Sequence, residues 1–357
     1  MTADTAREPA RPGLPRRLVV WMHAERYPAW TIPEALVARL RAAAGAGWEV
    51  EAVRVSARAT GDGPAAAPPE VLAAVADAEV YFGFGITPEV FRAAGRLRWV
   101  HSGAAGVRGS LFPELRASDV AFTNSAGIHA EPLAEWAIGA MLHFARGFDL
   151  AVHGVRDGGW PYDEFAARPE ALGELTGSTA VVVGYGGIGR AVGMRARALG
   201  MRVVAVRRHP GASPLPEADR VVGPDGLAGA LREAAYVVLA LPETDETQGL
   251  IGAAEIAALP PRAVLLNLSR GGIVDETALA AALARGALRG AALDVFREEP
   301  LPAGSPLRAL RNVLITPHAG SVTPRFWERQ AGLMLRNLEA WKAGRPLENR
   351  VDKERGY

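Results

Sequence analysis

The chain has 357 residues, 49% hydrophobic and 22% charged, which at roughly 150 residues per domain makes two or three globular domains and excludes a largely disordered chain. Its 40 basic residues nearly cancel 39 acidic ones, so no overall field draws nucleic acid or an anionic membrane. There is no cysteine, which excludes disulfides, thiolate metal sites and a cysteine nucleophile; no metal is expected.

Residues 1–16 read as a polar, proline-rich leader without the apolar core of a signal peptide, so the cytoplasm is the expected location. No window approaches 18 apolar residues, so no transmembrane helix is expected. The first strand falls at Leu18–Met22, a helix follows over Pro33–Ala44, and a second strand over Trp48–Val55. Ser56–Pro69 reads as a loop. A helix from Glu70, an apolar run at Val80–Phe84, a helix around Pro88–Ala94, and short strands at Leu97–His101 and Val120–Thr123 complete a first unit of about 120 residues. Helices alternating with short apolar strands predict a parallel α/β sheet.

Glu131–Gly147 predicts one long helix, apolar on most faces and therefore buried between domains. The polar, Gly- and Pro-containing stretch Asp157–Glu174 follows, and the domain crossing is placed near residue 150. A second α/β unit has strands at Thr179–Val183, Arg202–Val206, Tyr236–Leu241, Ala263–Leu268, Gly290–Asp294 and Val313–Thr316, with helices starting near Gly187, Gly226, Gly252 and Asp275. Six strands with crossover helices match a Rossmann sheet. A last helix, Thr323–Trp341, returns to the first domain. The expected fold is therefore α/β, two Rossmann-like domains with parallel sheets and a cleft between them. The first domain is discontinuous (1–148 and 324–357) and the second spans 149–323.

Between the first strand of the second unit and its helix stands Gly184-Tyr185-Gly186-Gly187-Ile188-Gly189. In this G-x-G-x-x-G pattern, Gly184 permits the tight turn, Gly186 the approach of a pyrophosphate, and Gly189 close helix–strand packing. Gly187 and Ile188 open the helix whose amides face the phosphates. Arg207 and Arg208 stand where an NAD enzyme usually has an acid, Arg207 lying 18 residues beyond Gly189. Guanidinium groups bind a 2′-phosphate that a carboxylate would repel. NADP(H) is the preferred cofactor on this reading, with NAD(H) possible.

Three segments follow apolar strands: Asn267-Leu268-Ser269-Arg270-Gly271-Gly272, Asp294 to Leu301, and Thr316-Pro317-His318-Ala319-Gly320. Open parallel sheets bind ligands at these carboxyl ends, so Arg270, Glu299 and His318 can converge as a catalytic trio. Arg270 can hold a carboxylate and polarise the adjacent carbonyl. His318 can give a proton to a developing alkoxide or take one back. Glu299 would orient the imidazole and favour its charged form. That chemistry suits a small 2-keto or 2-hydroxy acid. Leu268, Ser269, His318 and Gly320 are candidate cofactor contacts beside the same strand ends.

From about residue 80 to 323 the sequence strongly resembles the D-isomer-specific 2-hydroxyacid dehydrogenases. The matching segments include Gly103-Ala104-Ala105-Gly106-Val107, Phe122-Thr123-Asn124, Ala134-Glu135, Leu241 to Thr247, the glycine turn and the three strand ends. The resemblance implies Arg270, Glu299 and His318 as catalytic groups, and backbone amides around Ala105 and Gly106 as the carboxylate site. Asp294 would contact the nicotinamide carboxamide, while Leu241, Pro242 and Thr247 would line the cofactor cleft. It makes 1–148 with 324–357 the substrate domain and 149–323 the dinucleotide domain, and implies a homodimer with the helix near 131–147 at its interface. The 19-residue spacing from Glu299 to His318 is similar to that of glyoxylate/hydroxypyruvate reductases. Arg108 departs from the family's common Asp, which alters charge either beside the substrate loop or only at the surface. The roles of Trp136, Trp160 and Trp327 stay open between pocket and core. The competing expectation is a non-catalytic, dinucleotide-sensing corepressor-like protein, since such proteins keep the trio.

Overall fold

A computed structural model describes residues 15–56, 59–60, 63–64, 66–167, 169–211 and 215–356. The leader expected over 1–16 lies outside these residues except for its last two. The chain divides into two compact units, 1–128 with 322–357, and 129–321.

The first unit runs β1 (Arg16–Trp21), α1 (Glu34–Ala44), β2 (Trp48–Ala52), β3 (Ala59–Thr60), β4 (Gly63–Pro64), α2 (Pro69–Val75), β5 (Val80–Gly83), α3 (Pro88–Ala93), β6 (Trp99–Ser102), α4 (Pro113–Arg116) and β7 (Ala121–Thr123). Five strands pair in parallel in the order β2-β1-β5-β6-β7. The segment read as a loop instead holds the antiparallel pair β3–β4, a two-residue ladder too short for periodicity to register. Val80–Gly83 and Trp99–Ser102 are buried throughout. Their side chains pack into clusters on both faces of the sheet, which is why Val80–Gly83 reads as an apolar run, while β6 buries the polar His101 and Ser102.

The second unit runs α5 (Ala130–Ala145), α6 (Phe148–Arg156), α7 (Tyr162–Ala167), β8 (Thr179–Val183), α8 (Gly187–Ala198), β9 (Arg202–Val206), β10 (Arg220–Val222), α9 (Leu227–Leu231), β11 (Tyr236–Leu239), α10 (Ala253–Ala258), β12 (Val264–Asn267), α11 (Glu276–Ala284), β13 (Gly290–Leu293) and β14 (Val313–Ile315). Seven strands are parallel in the order β10-β9-β8-β11-β12-β13-β14. The order reverses between β8 and β11, the switch point at which such sheets take ligands. The sheet has one strand more than the six expected. β10 is a three-residue edge strand with an exposed arginine, so its sequence carries no apolar run and only pairing with β9 defines it. A last helix, α12 (Phe326–Lys342), belongs to the first unit. Its Ala331, Met334 and Leu338 pack with Leu36, Val37 and Leu40 of α1.

The crossing expected near residue 150 differs from the division at residue 128. Leu133, Ala134, Ala137, Met141 and Phe144 of α5 are buried in one cluster with Ala180 and Val182 of β8 and Ala191, Val192 and Ala196 of α8. Burial of each large side chain contributes about 1.5–3 kcal/mol, so this packing holds α5 within the second unit. The polar stretch Asp157–Glu174 contains α7. Among the described residues no helix is long and apolar enough to cross a membrane.

Candidate active site

β8 delivers the chain into the glycine turn. Gly184 has φ +90°, and a Cβ there would stand 2.5 Å from the Ala240 carbonyl oxygen. A Cβ on Gly189 would stand 2.1 Å from the Gly184 oxygen, so a side chain at either position would push helix and strand apart. Gly186 is the N-cap of α8 and faces open space, with nothing within 4 Å of the Cβ it lacks. Gly187 and Ile188 form the first turn of α8, where amides lack partners along the helix. An open cradle before such a helix start fits a pyrophosphate.

At the end of β9, the Arg207 amide donates to Val222 O at 3.0 Å. Arg208 forms an ion pair with Glu246, a partner that sequence spacing does not reveal. Beyond β11, the Leu241 amide donates to Ser269 Oγ at 3.0 Å. Thr247 Oγ1 donates to Pro242 O at 2.7 Å and accepts from the Thr244 amide at 2.8 Å. The 241–247 turn is thus closed on itself and tied to the end of β12, where Leu268 and Ser269 are buried.

The strand ends after β12, β13 and β14 meet within this unit. His318 Nδ1 lies 2.7 Å from Glu299 Oε2, and the Phe296 amide donates to Glu299 Oε1 at 2.9 Å. Burial resists ionisation of Glu299, but the hydrogen bonds from His318 and Phe296, with the charges of His318 and Arg270, hold its carboxyl below the ordinary value. Arg270 has an extended backbone, its carbonyl accepts from Asn267 Nδ2 at 3.0 Å, and its Nη1 donates to Ser269 O at 2.7 Å. Gly271 brings the two loops together: a Cβ there would lie 1.9 Å from the carbonyl carbon of Phe296. Asn267 and Gly271 belong to the segment singled out in the sequence, which assigns no role to either.

His318 occupies the left-handed region at φ +53°, a conformation that surrounding bonds must maintain. Its amide donates to Asp294 O at 2.7 Å. The buried Asp294 carboxylate accepts from Thr316 Oγ1 at 2.5 Å, from the Ala319 amide at 2.9 Å and from the Gly320 amide at 3.0 Å. Asp294 therefore braces the turn that presents His318, a role absent from the sequence reading. Trp136 Nε1 donates to Thr316 Oγ1 at 3.1 Å, so this tryptophan supports the same strand end. Trp160 is 85% exposed. In the first unit, Trp327 donates to Ala29 O at 3.0 Å and packs on Phe326.

Ala105 and Gly106 lie in the first unit, just past β6. The amides of both have no partner among the described residues. The carbonyls of Ala104 and Ala105 are bonded to the Ser125 amide at 3.2 Å and to Asn124 Nδ2 at 2.8 Å.

A parallel sheet with a glycine turn at its switch point and an Arg, Glu and His at adjoining strand ends is the architecture of a dinucleotide-dependent dehydrogenase. Residues 138–320 match the family model described as D-isomer specific 2-hydroxyacid dehydrogenase, NAD binding domain. A glyoxylate reductase of Thermococcus kodakarensis is 38% identical over 273 residues, covering 75% of this chain and 80% of its own. A glyoxylate reductase of Aeropyrum pernix is 39% identical over 236 residues, 65% of this chain and 69% of its own. A D-isomer specific 2-hydroxyacid dehydrogenase from Xanthobacter autotrophicus Py2, solved with NADPH and MES, is similar with a TM-score of 0.77 at 30% identity, covering 96% of this chain and all of that one. The chain belongs to the D-isomer specific 2-hydroxyacid dehydrogenase family. It is an oxidoreductase whose cofactor is a nicotinamide dinucleotide, and the corepressor alternative finds no support in these likenesses.

Proposed function

We propose that the protein reduces a small 2-ketoacid, of the glyoxylate or hydroxypyruvate kind, to the D-2-hydroxyacid, with NADPH preferred over NADH. The observation that carries this reading is the His318–Glu299 bond through Nδ1, which leaves His318 Nε2 without a partner among the described residues. A bound reduced nicotinamide supplies the hydride to C2 of the ketoacid. Arg270 holds the substrate carboxylate and draws electron density from the C2 carbonyl. His318 Nε2 gives its proton to the C2 oxygen, so the carbonyl becomes a hydroxyl. Glu299 keeps Nδ1 engaged and stabilises the charged imidazole before that transfer. In the first unit, the unpartnered amides of Ala105 and Gly106 receive the carboxylate.

The glycine turn of Gly184, Gly186, Gly187, Ile188 and Gly189 takes the pyrophosphate, and Leu241, Pro242, Thr247, Leu268, Ser269 and Gly320 line the cofactor. Arg207 and Arg208 favour a 2′-phosphate, and the NADPH in the Xanthobacter autotrophicus structure supports that preference. Asp294 serves the nicotinamide carboxamide through Oδ2, as Oδ1 already accepts three bonds from the His318 turn. The relatives' name, glyoxylate reductase, supports a short side chain on the substrate. We further propose a homodimer. Its support is an exposed apolar stripe on α6, Phe148, Val152 and Val155, continued by Trp160 and Tyr162.

Steady-state turnover across a panel of 2-ketoacids with each cofactor tests the reading. Glyoxylate or hydroxypyruvate with NADPH should give the highest kcat/KM. No turnover on any 2-ketoacid would turn the reading toward the sensor class.

A further inference from the structure

A peptide unit is planar and trans, so its C=O and the next N–H point in opposite directions. The Ala104 carbonyl shares a plane with the Ala105 amide, and the Ala105 carbonyl with the Gly106 amide. Anchoring these two carbonyls therefore aims these two amides. Both anchors come from one dipeptide after β7. The Ser125 amide donates to Ala104 O at 3.2 Å, and Asn124 Nδ2 donates to Ala105 O at 2.8 Å. Ser125 Oγ also donates to Ser102 O at 2.8 Å, and the Gly103 amide donates to Gly83 O at 2.7 Å.

The dipeptide is itself held on two sides. Asn124 exchanges bonds with Asn349, amide to Asn349 O at 3.1 Å and carbonyl from Asn349 Nδ2 at 3.3 Å. On the other side lies a wholly buried polar group. His101 Nδ1 is 2.9 Å from Thr123 Oγ1, and Nε2 is 3.1 Å from Gln330 Nε2 and 3.3 Å from Ser125 Oγ. As the Gln330 nitrogen can only donate, His101 Nε2 accepts and Nδ1–H donates to Thr123. With Nδ1 bonded to Thr123 and Nε2 to Gln330, the buried imidazole is held in one orientation beside Ser125.

We propose that Asn124 and Ser125 are positioning residues for the substrate carboxylate. They touch no substrate. They aim the Ala105 and Gly106 amides, and the buried His101 group and Asn349 fix them in place. This rests on the loop's carboxylate-binding role in the proposed function.

The test is kinetic, on the full-length enzyme. Asn124→Ala and Ser125→Ala should each raise KM for the 2-ketoacid by roughly tenfold to a hundredfold. The KM for NADPH should stay within twofold, and kcat should fall far less than KM rises. Ser125→Thr, which keeps the hydroxyl, should recover most of the loss from Ser125→Ala. Circular dichroism and thermal unfolding report whether each variant is folded. An unchanged ketoacid KM in folded variants, or equal loss in Ser125→Thr and Ser125→Ala, overturns the proposal while the unaltered enzyme remains active. Inactivity of the unaltered enzyme on every 2-ketoacid overturns the reading beneath it instead.

Discussion

The imidazole Nδ1 of His318 sits 2.7 Å from Oε2 of Glu299, so the ring is oriented through one nitrogen and keeps Nε2 for the proposed proton transfer. His318→Ala should lower kcat about 100- to 10,000-fold, the usual contribution of a positioned acid–base group. NADPH affinity, read by fluorescence titration, should hardly change. Loss of NADPH binding in the same variant would make His318 a structural residue.

Acid should weaken the protein through His101. Burial pushes its pKa down to about 3, against about 6.5 in the unfolded chain. Between these values the unfolded chain binds a proton that the folded chain refuses. Stability is then complete above about pH 6.5 and falls as pH drops toward 3, by up to about 1.4 kcal/mol per unit. His101→Asn should lose about 2 kcal/mol less than the wild type between pH 7 and pH 5. Urea unfolding at the two pH values measures the difference, and equal slopes would show that His101 is protonated in the fold.

Gly271 should tolerate no side chain. A Cβ there would fall 1.9 Å from the Phe296 carbonyl carbon and 2.1 Å from the Arg297 nitrogen, so the Arg270 and Glu299 loops must part. Gly271→Ala should cost about 1–3 kcal/mol and most of kcat. Gly229→Ala, where nothing lies within 4 Å, should leave both intact. Thermal unfolding and turnover of the two variants decide the matter.

Cofactor choice should respond to Arg207. Arg207→Asp should raise KM for NADPH at least about tenfold, since an Asp repels a 2′-phosphate and accepts from a ribose hydroxyl. KM for NADH should fall. If the ratio of kcat/KM for the two cofactors stays put, the arginine does not read the phosphate.

The α6 stripe should carry self-association. Val152 and Val155 are 45% and 55% exposed, and a charge in an apolar interface is costly to desolvate. Val152→Asp with Val155→Asp should halve the mass seen by light scattering. A monomeric wild type, or a dimer unmoved by the pair, would remove α6 from the interface.

Much of the sheet was readable in advance because central parallel strands are apolar along their whole length. β8 and β9 have the ranges expected for them. β10 escaped notice because an edge strand half open to water needs no apolar run. The placement of α5 escaped as well. A helix apolar on most faces can bury against either unit, and only its packing on β8 and α8 resolves the choice. Arg270, Glu299 and His318 could be named because each directly follows an apolar strand or its short loop.

By itself the sequence determined two parallel α/β sheets, the glycine turn and the residues standing at the strand ends, since periodicity, glycine and strand ends are local properties of the chain. Tertiary structure alone decided how those residues are aimed: Nδ1 of His318 toward Glu299, the Asp294 carboxylate under the His318 turn, and the carbonyls of Ala104 and Ala105 toward Ser125 and Asn124. Direction depends on hydrogen bonds between segments far apart in sequence, and no local pattern encodes them.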